Sequence, residues 1–333
     1  MSALFDPIHL GSWLDGLGLA TGEPISHSPL AGGRSNAMFE VRRGGHAWVL
    51  RRPAGVAAER AEDGLRREFR ILSALGETSV PHPRVVAFCD DRSVMGTLFY
   101  LVERVEGFAP MPDAIPPGYA ASDPASDTLD DSRRAIALAM TDALADLHAV
   151  DPYAVGLGDL GRPEGFHERQ VSRWMRQLAS YPDGDGLPGI ERVTAWLEAN
   201  RPGDFTPVLM HGDYHFGNVL MAPEPPPRVT AIVDWETATI GDPLLDLAGF
   251  LRIWFEKGPH AGSEWQELTA RYAQRSGREV PDLTYYITLS RFRLAVLLEG
   301  IHQRSRHDPT REVQTEMGVY ARKLVADAVA SLE

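Results

Sequence analysis

Eight residues between two short apolar segments combine side chains that could transfer a proton and hold a metal ion. The stretch HGDYHFGN, residues 211–218, lies between Val208–Met210 and Val219–Met221. Short apolar runs bounded by Gly and Asp predict buried strands. A simple turn needs only Gly, Asn or Asp, which explains Gly212 and Gly217 but not two histidines and an aspartate as well. We therefore interpret residues 211–218 as a functional loop on a rigid scaffold.

The spacing His211-x-Asp213-x4-Asn218 matches the catalytic loop of protein kinases, H-R-D-x4-N. A carboxylate beside an acceptor hydroxyl can orient it and take its proton, which is the role that Asp213 would suit. The amide oxygen of Asn218 can bind Mg²⁺, because hard cations prefer oxygen ligands. A second carboxylate should follow on an adjacent strand, and Asp234 fits that position near the end of the predicted metal strand, residues 229–235.

The rest of the chain predicts a small antiparallel sheet followed by a mainly helical part. Residues 25–107 alternate short apolar runs with Gly turns around one helix, and a Pro-, Asp- and Ser-rich loop follows at 109–131. We predict an α+β, protein-kinase-like bilobal fold, with a β N-lobe at 1–107 and a helical C-lobe at 108–333. Apolar residues at helical spacing predict helices at 6–19, 57–75, 132–148, 165–180, 188–200, 243–255, 262–276, 282–304 and 311–331.

A Gly-rich turn between two predicted strands is a candidate phosphate-binding loop. In GGRSN, residues 32–36, backbone N–H groups could surround phosphates. The candidate residues in this turn are Gly32, Gly33, Ser35 and Asn36.

The next predicted strand, HAWVLRRP, has Arg51 where a kinase has its phosphate-binding lysine. Only two of the 33 basic residues are lysines, Lys257 and Lys323, so arginine must serve in the N-lobe. Arginine can pair with both phosphate and carboxylate, and Glu68 on the following helix is its predicted partner. Because side chains alternate along a strand, Arg52 should point to the opposite face.

The motifs GGRSN, VLRRP, LHAVD, HGDYHFGN and VDWETATIGDPLLDLA occur in this order along the chain. In these motifs the chain resembles the aminoglycoside phosphotransferase family of small-molecule kinases, relatives of choline and fructosamine kinases. The resemblance covers roughly residues 25–260, and VLRRP most resembles the kinase-like domain fused to some acyl-CoA dehydrogenases.

The resemblance implies ATP and Mg²⁺ as cofactors. It implies that Asp213 is the catalytic base, that Asn218 and Asp234 ligate Mg²⁺, and that Arg51, anchored by Glu68, holds the α- and β-phosphates. It also implies a hinge at residues 101–105 that binds adenine through its backbone. The hinge residues concerned are Leu101, Glu103 and Val105.

Other polar residues near these motifs take structural interpretations. Asp246 in GDPLLDLA is expected to accept hydrogen bonds from the catalytic-loop backbone, and Asp242 to cap the helix that follows it. We interpret His211 and His148 as structural. For His215 the sequence leaves open whether it is packed in the loop or faces the ligand.

Composition restricts the classes of partner. The net charge of −13 argues against a nucleic-acid-binding protein and against a polybasic membrane anchor. The single cysteine, Cys89, excludes an intramolecular disulfide and favours a reducing compartment. The first 20 residues lack a signal-peptide pattern, and no run approaches the roughly 18 apolar residues of a membrane span. We expect a soluble cytoplasmic protein, with a homodimer left open.

The function predicted from these features is an ATP- and Mg²⁺-dependent O-phosphotransferase acting on a small hydroxylated molecule. Arginines of the helical part, such as Arg252, Arg291 and Arg293, favour an acidic or acyl-thioester acceptor, for example a hydroxyacyl-CoA. The first alternative is a true aminoglycoside antibiotic phosphotransferase. The second is a pseudokinase that binds nucleotide without catalysis. A zinc hydrolase is the third, with the ligands His211, Asp213, His215 and Asp234.

Overall fold

The computed structural model describes residues 5–30, 36–54, 59–116, 119, 129–182, 186–258, 264–307 and 312–332. The chain forms two compact units. The first unit comprises Met1–Ala143, Tyr153–Leu157 and Gly217–Thr237, and the second comprises Leu144–Pro152, Gly158–Phe216 and Ala238–Glu333.

The first unit therefore extends beyond residue 107, the limit predicted for the N-lobe. One reason is a two-way backbone contact between distant residues. The N–H of Phe108 donates to the carbonyl of Met221 at 3.1 Å, and the N–H of Met221 donates to the carbonyl of Phe108 at 2.8 Å. Such a pair is a strand-like bridge, and it attaches residues 217–237 to the chain that follows the sheet.

A five-stranded antiparallel sheet forms the centre of the first unit, in the order β1-β2-β3-β5-β4. The strands are β1 Ser26–Pro29, β2 Asn36–Arg43, β3 His46–Pro53, β4 Val85–Cys89 and β5 Phe99–Glu103. The helices that accompany it are α1 Pro7–Gly16, α2 Glu59–Leu75 and the short α3 Arg92–Met95. Helix α1 begins at an Asp6 cap, whose carboxylate accepts from the N–H groups of Ile8 and His9.

One apolar cluster holds α1 against the sheet. Leu10 and Leu14 of α1 are fully buried against side chains of β3 and β5, including Trp48, Leu50 and Phe99. Burying one such side chain contributes roughly 1.5–3 kcal/mol. The cluster therefore fixes the strands β3 and β5, which carry Arg51 and the predicted hinge.

Two short antiparallel strand pairs contain the motifs around the functional loop. In the first unit, β7 Val219–Met221 pairs with β8 Val229–Ile232, and in the second unit β6 Val208–Met210 pairs with β9 Thr239–Gly241. The two apolar runs that flank residues 211–218 are thus strands, as predicted, but they belong to different sheets and do not pair with each other.

The remaining helices follow the sequence periodicity closely. The largest difference at a helix end is four residues, because the last helix begins at Thr315 and not at 311. Helix α4 runs from the first unit into the second, and the others lie in the second unit. These helices are α4 Leu129–His148, α5 Glu168–Ala179, α6 Ile190–Ala199, α7 Pro243–Lys257, α8 Trp265–Ser276, α9 Thr284–His307 and α10 Thr315–Ala330.

The predicted α+β class, an antiparallel sheet followed by a mainly helical part, is confirmed. Within the described ranges, every helix is too short or too polar to cross a membrane.

Candidate active site

The loop after β6 is held in place by one buried carboxylate of the second unit. Asp246, in the first turn of α7, accepts the backbone N–H of His211 at 2.6 Å and that of Gly212 at 2.9 Å. Gly212 has φ +83°, a left-handed conformation that favours glycine. The predicted role of Asp246 is therefore confirmed, and the bend it stabilises determines where Asp213 projects.

A second layer of hydrogen bonds supports Asp246. His148 is buried, with its Nδ1 2.7 Å from the Tyr272 hydroxyl and its Nε2 3.5 Å from the Asp246 carboxylate. Burial raises the pKa of Tyr272, so its hydroxyl stays protonated and can donate. This network confirms the structural interpretation of His148. Tyr272 was missed, because a single tyrosine at a helical core position carries no distinguishing spacing.

Asp213 presents a half-exposed carboxylate near the start of this loop. Its backbone N–H donates to His211 Nδ1 at 3.4 Å, which confirms that His211 bonds the loop backbone. The His215 imidazole lies beside this carboxylate, with its Nε2 3.6 Å from Asp213 Oδ2. Burial tends to raise the pKa of Asp213, but the hydrogen bond and charge of His215 and the charges of His211 and Arg293 outweigh it and lower that pKa. At neutral pH Asp213 is an ionised carboxylate that can accept a proton.

The hairpin of β7 and β8 brings the two predicted Mg²⁺ ligands of the first unit to one end. Val219 pairs with Ile232, and the N–H of Val233 donates to the carbonyl of Asn218 at 2.9 Å. Asn218 directly precedes β7 and Asp234 follows Val233, so both residues lie where the hairpin opens. The spacing of the two motifs in the sequence predicts this proximity.

Asp234 has an uncommon backbone conformation. Its φ of +66° lies in the left-handed region, which non-glycine residues adopt at a cost of about 1 kcal/mol or more. The conformation places the carboxylate, which is 43% exposed, 3.8 Å from the Arg51 guanidinium. A strained aspartate at a turn is a recognised sign of a functional constraint, and it fits a residue whose carboxylate must point in a fixed direction.

Arg51 and Glu68 form the predicted pair. Arg51 Nη1 lies 2.9 Å from Glu68 Oε1, and Glu68 is 2% exposed. Burial raises the pKa of Glu68, and the Arg51 charge opposes that shift. Tyr100 of β5, which the sequence analysis did not single out, adjoins the pair, and burial together with the Glu68 charge raises its pKa well above 10.

Arg52 points away from this group, as strand alternation requires. Its Nη1 donates to the carbonyl of Met95 at 3.1 Å, and the side chain is 5% exposed. The predicted register of β3 is confirmed, because neighbouring arginines contact different elements: Arg51 contacts α2 and Arg52 contacts α3.

Of the predicted phosphate-binding turn, Gly32, Gly33 and Ser35 lie outside the described residues. Asn36 is the first residue of β2, with a side chain that is 7% exposed, and its Cα pairs with that of Pro53. The role of this turn stays a prediction.

The predicted adenine-binding segment lies largely within a strand. Leu101 is inside the interior strand β5, opposite Leu50 of β3 and Ala87 of β4, so sheet pairing occupies both of its sides. The N–H of Glu103 donates to the carbonyl of Arg84 at 2.8 Å. Of the three candidate residues, Val105 is the one that lies beyond the end of β5.

A small cavity opens beside Asp213 within the second unit. It has a volume of about 60 Å³ and is lined by residues of the catalytic loop, α7 and α9. The polar side chains that line it include Asp213, Asp246, Arg252, Ser290 and Arg293.

The zinc-hydrolase alternative is not supported. In the described part of the chain, no group of three or more His, Cys, Asp or Glu side chains is arranged to hold a metal ion. An Asn and an Asp do not constitute such a group, and Mg²⁺ commonly uses one or two protein ligands together with phosphate oxygens. The donor set of Asn218 and Asp234 therefore fits Mg²⁺ and does not fit zinc.

Solved structures share this fold. A proposed aminoglycoside phosphotransferase from Ralstonia eutropha superposes with a TM-score of 0.83 at 28% identity, over 98% of each chain. A thermostable mutant of aminoglycoside phosphotransferase APH(4)-Ia, in complex with ADP and hygromycin B, gives a TM-score of 0.64 at 14% identity, over 96% of this chain and 97% of that chain. The fold is that of a small-molecule phosphotransferase.

The sequence model of the phosphotransferase enzyme family APH matches residues 26–284, and the chain belongs to that family. Acyl-CoA dehydrogenase family member 11 of Rattus norvegicus is 30% identical over 313 residues, covering 89% of this chain and 38% of that protein. Acyl-CoA dehydrogenase family member 10 of Mus musculus is 32% identical over 290 residues, covering 82% of this chain and 26% of that protein. The chain spans less than two-fifths of the length of either relative, and the resemblance to the dehydrogenase-fused kinase-like domain is confirmed.

Proposed function

We propose that the protein is an ATP- and Mg²⁺-dependent O-phosphotransferase that phosphorylates a hydroxyl group of a small acidic metabolite. The observation that carries the proposal is the grouping in the first unit of Asn218, Asp234 and the Arg51–Glu68 pair, with Arg51 3.8 Å from Asp234. Carboxylate and amide oxygens beside a guanidinium provide for a metal ion and for phosphate oxygens together. A phosphotransferase family member with ADP bound, APH(4)-Ia, supports the nucleotide assignment.

In this proposal Asn218 and Asp234 hold Mg²⁺, and Arg51 pairs with the α- and β-phosphates. Bound Mg²⁺ would neutralise negative charge on the transferred phosphoryl group. Glu68 keeps the Arg51 guanidinium directed toward Asp234 and, because Glu68 is buried, a shift of the guanidinium would leave a carboxylate uncompensated. That arrangement allows an arginine to take the position that a lysine has in kinases.

Asp213 is the proposed general base. The acceptor hydroxyl loses its proton to the Asp213 carboxylate while its oxygen forms a bond to the γ-phosphorus of ATP. The bond from that phosphorus to the β,γ-bridging oxygen breaks, and ADP leaves with the electron pair. The lowered pKa of Asp213 keeps the carboxylate ionised and ready to orient the hydroxyl, and such bases typically contribute about 10²–10⁴-fold.

For the acceptor we propose an acidic or acyl-thioester hydroxy compound, with a hydroxyacyl-CoA as the leading candidate. Two observations support it: the relatives are named as acyl-CoA dehydrogenase family members, and arginines line the cavity beside Asp213. An aminoglycoside is the second candidate, because the Ralstonia eutropha structure carries that name. An aminoglycoside is a polycation, and Arg252 and Arg293 in the cavity disfavour it.

The test combines nucleotide binding with a substrate panel. Calorimetry should show Mg·ATP binding that is lost without Mg²⁺. An ADP-release assay should then respond to hydroxyacyl-CoA thioesters or hydroxy acids, and mass spectrometry should find the acceptor heavier by one phosphoryl group. The Asp213→Asn variant is the control for transfer by this site. Absence of Mg·ATP binding would contradict the proposal. Efficient transfer to kanamycin-like compounds alone would show that the acceptor is an aminoglycoside and would leave the kinase assignment intact.

A further inference from the structure

Within the described residues, Arg293 of α9 differs from Arg252 and Arg291 in forming no ion pair with a carboxylate. Arg252 bonds Ser290 and Glu256, at 3.1 and 2.9 Å, and Arg291 lies 2.7 Å from Glu256. The Arg293 guanidinium lies over the Trp174 ring, 5.4 Å from the ring centroid. The Trp174 ring therefore helps to position the Arg293 guanidinium, and the charges of Asp246 and Asp213 act on it without a direct ion pair.

The Arg293 side chain lines the same cavity as Asp213. The cavity volume of about 60 Å³ exceeds the ~10–15 Å³ that one water molecule needs on this measure, so it has room for a carboxylate or a phosphate group. Gly212 and Gly249 form part of its wall, and both lack side chains that would fill it. A group that enters this cavity comes beside the candidate base and a guanidinium at once.

The Arg293 guanidinium carries a positive charge in a partly closed cavity that Asp213 and Asp246 also line. Burial lowers the pKa of Arg293, and the charges of Asp246 and Asp213 counteract that effect. Arginine nevertheless stays protonated in proteins, so the charge is present and its donors can bind an acceptor that enters the cavity. Pairing with an anion in a low-dielectric site forms short, charge-assisted and often bidentate hydrogen bonds.

We propose that Arg293 binds an anionic group of the acceptor, a carboxylate or a phosphate, and thereby places the acceptor hydroxyl at Asp213. This inference rests on the proposed phosphotransferase function and assigns the residue that selects acidic acceptors. Arg293 would contribute through substrate recognition. Asp213 performs the proton transfer.

The decisive comparison uses acceptors that differ only in charge. One pair is a hydroxy acid and its methyl ester, and another is a hydroxyacyl-CoA and the same acyl group on N-acetylcysteamine, which lacks the phosphates. In the wild type the charged member of a pair should have the higher kcat/KM. Arg293→Met should lower kcat/KM for that member by about 10- to 100-fold, mainly through KM, and change the neutral member little.

The matched control is Arg173→Met. Arg173 also lies 5.4 Å from the Trp174 ring centroid, but it is exposed and does not line the cavity. This variant should retain the charge preference of the wild type. Arg293→Lys, which keeps a positive charge without the planar fork, should retain part of it. Equal losses for charged and neutral acceptors in Arg293→Met would overturn the inference and indicate that Arg293 positions Asp213.

A binding measurement separates this inference from the proposed function. Inorganic phosphate, titrated while Mg·ADP occupies the nucleotide site, should change the fluorescence of Trp174 in the wild type and in Arg173→Met. It should not do so in Arg293→Met, and a Trp174→Phe variant identifies the signal among the seven tryptophans. A wild type that binds Mg·ADP but gives no phosphate response overturns the role of Arg293. Failure to bind Mg·ADP at all counts against the proposed function instead.

Discussion

The Arg51 guanidinium lies 2.9 Å from the Glu68 carboxylate, and Glu68 is almost completely buried. The pair occupies the strand and helix positions where kinases have a lysine and a glutamate. Arginine offers five donors in a fixed plane, so one edge can pair with Glu68 while other donors stay directed toward Asp234. An arginine in this position is thus compatible with a phosphate-binding role and does not itself indicate a pseudokinase.

Replacing Arg51 should affect nucleotide binding and stability together. Arg51→Ala removes the partner of a buried carboxylate, which typically costs about 3–5 kcal/mol in the free energy of unfolding. Because burial already raises the pKa of Glu68 and Arg51 opposes that shift, the loss should grow as the pH rises through the pKa of Glu68. The Mg·ATP affinity, measured by calorimetry, should fall as well.

Two variants separate the two effects of Arg51. The double variant Arg51→Met/Glu68→Gln leaves no buried charge, so it should regain stability without regaining Mg·ATP affinity. Arg52→Met removes the hydrogen bond to Met95 and should lower stability by about 1–2 kcal/mol with little change in Mg·ATP affinity. Loss of nucleotide binding in Arg52→Met, with Arg51→Ala unaffected, would contradict the assignment of Arg51.

Asp213→Asn tests the proposed base. The variant keeps the shape of the side chain and the backbone N–H bond to His211, so the fold and Mg·ATP binding should be unchanged. Phosphoryl transfer should fall by about 10²–10⁴-fold, mainly in kcat. A variant with wild-type turnover on an established acceptor would remove Asp213 from this role.

Local patterns predicted the helices, the strand register at Arg51 and the spacing of the loop, because these depend on periodicity within a few residues of sequence. Such local patterns do not predict which strand pairs with which. The strands on either side of the functional loop pair with β8 and β9, not with each other. The sequence Thr-Ile-Gly of β9 is too short to show alternation, and tertiary pairing with β6 makes it a strand.

The same distinction applies to the site. The polar residues of the motifs were identifiable because chemistry requires their types and spacing. Tyr100 and Tyr272 were not, because each looks like an ordinary core aromatic until its neighbours are known. Likewise, the sequence alone did not distinguish the arginines of the helical part from one another. The Glu256 contacts of Arg252 and Arg291 and the Trp174 contact of Arg293 distinguish them.

Three substitutions at Asp234 separate its backbone strain from its carboxylate. Asp234→Gly should raise stability by up to about 1 kcal/mol, because glycine adopts positive φ without strain. Asp234→Asn should be close to the wild type, since Asn also tolerates this region, and Asp234→Ala should be less stable. All three should lose Mg²⁺-dependent ATP binding by calorimetry. Retained binding in the Asn variant would show that the carboxylate is not required.

His215→Gln should change the pH dependence of transfer. Burial raises the pKa of Asp213, and the hydrogen bond and charge of His215 are the largest of the effects that lower it below 3.8. In the wild type Asp213 is therefore ionised from about pH 5 to 8. Protonation of Asp213 should not lower kcat/KM in that range.

Without His215, its hydrogen bond and charge no longer oppose burial, so the pKa of Asp213 rises and less of the base is ionised at low pH. The acid limb of the kcat/KM profile should then move to higher pH, with rates at pH 8 close to the wild type. His9→Gln is the control, because His9 is an exposed residue of α1. An unchanged acid limb in His215→Gln, or an equal shift in His9→Gln, would show that His215 does not tune the base.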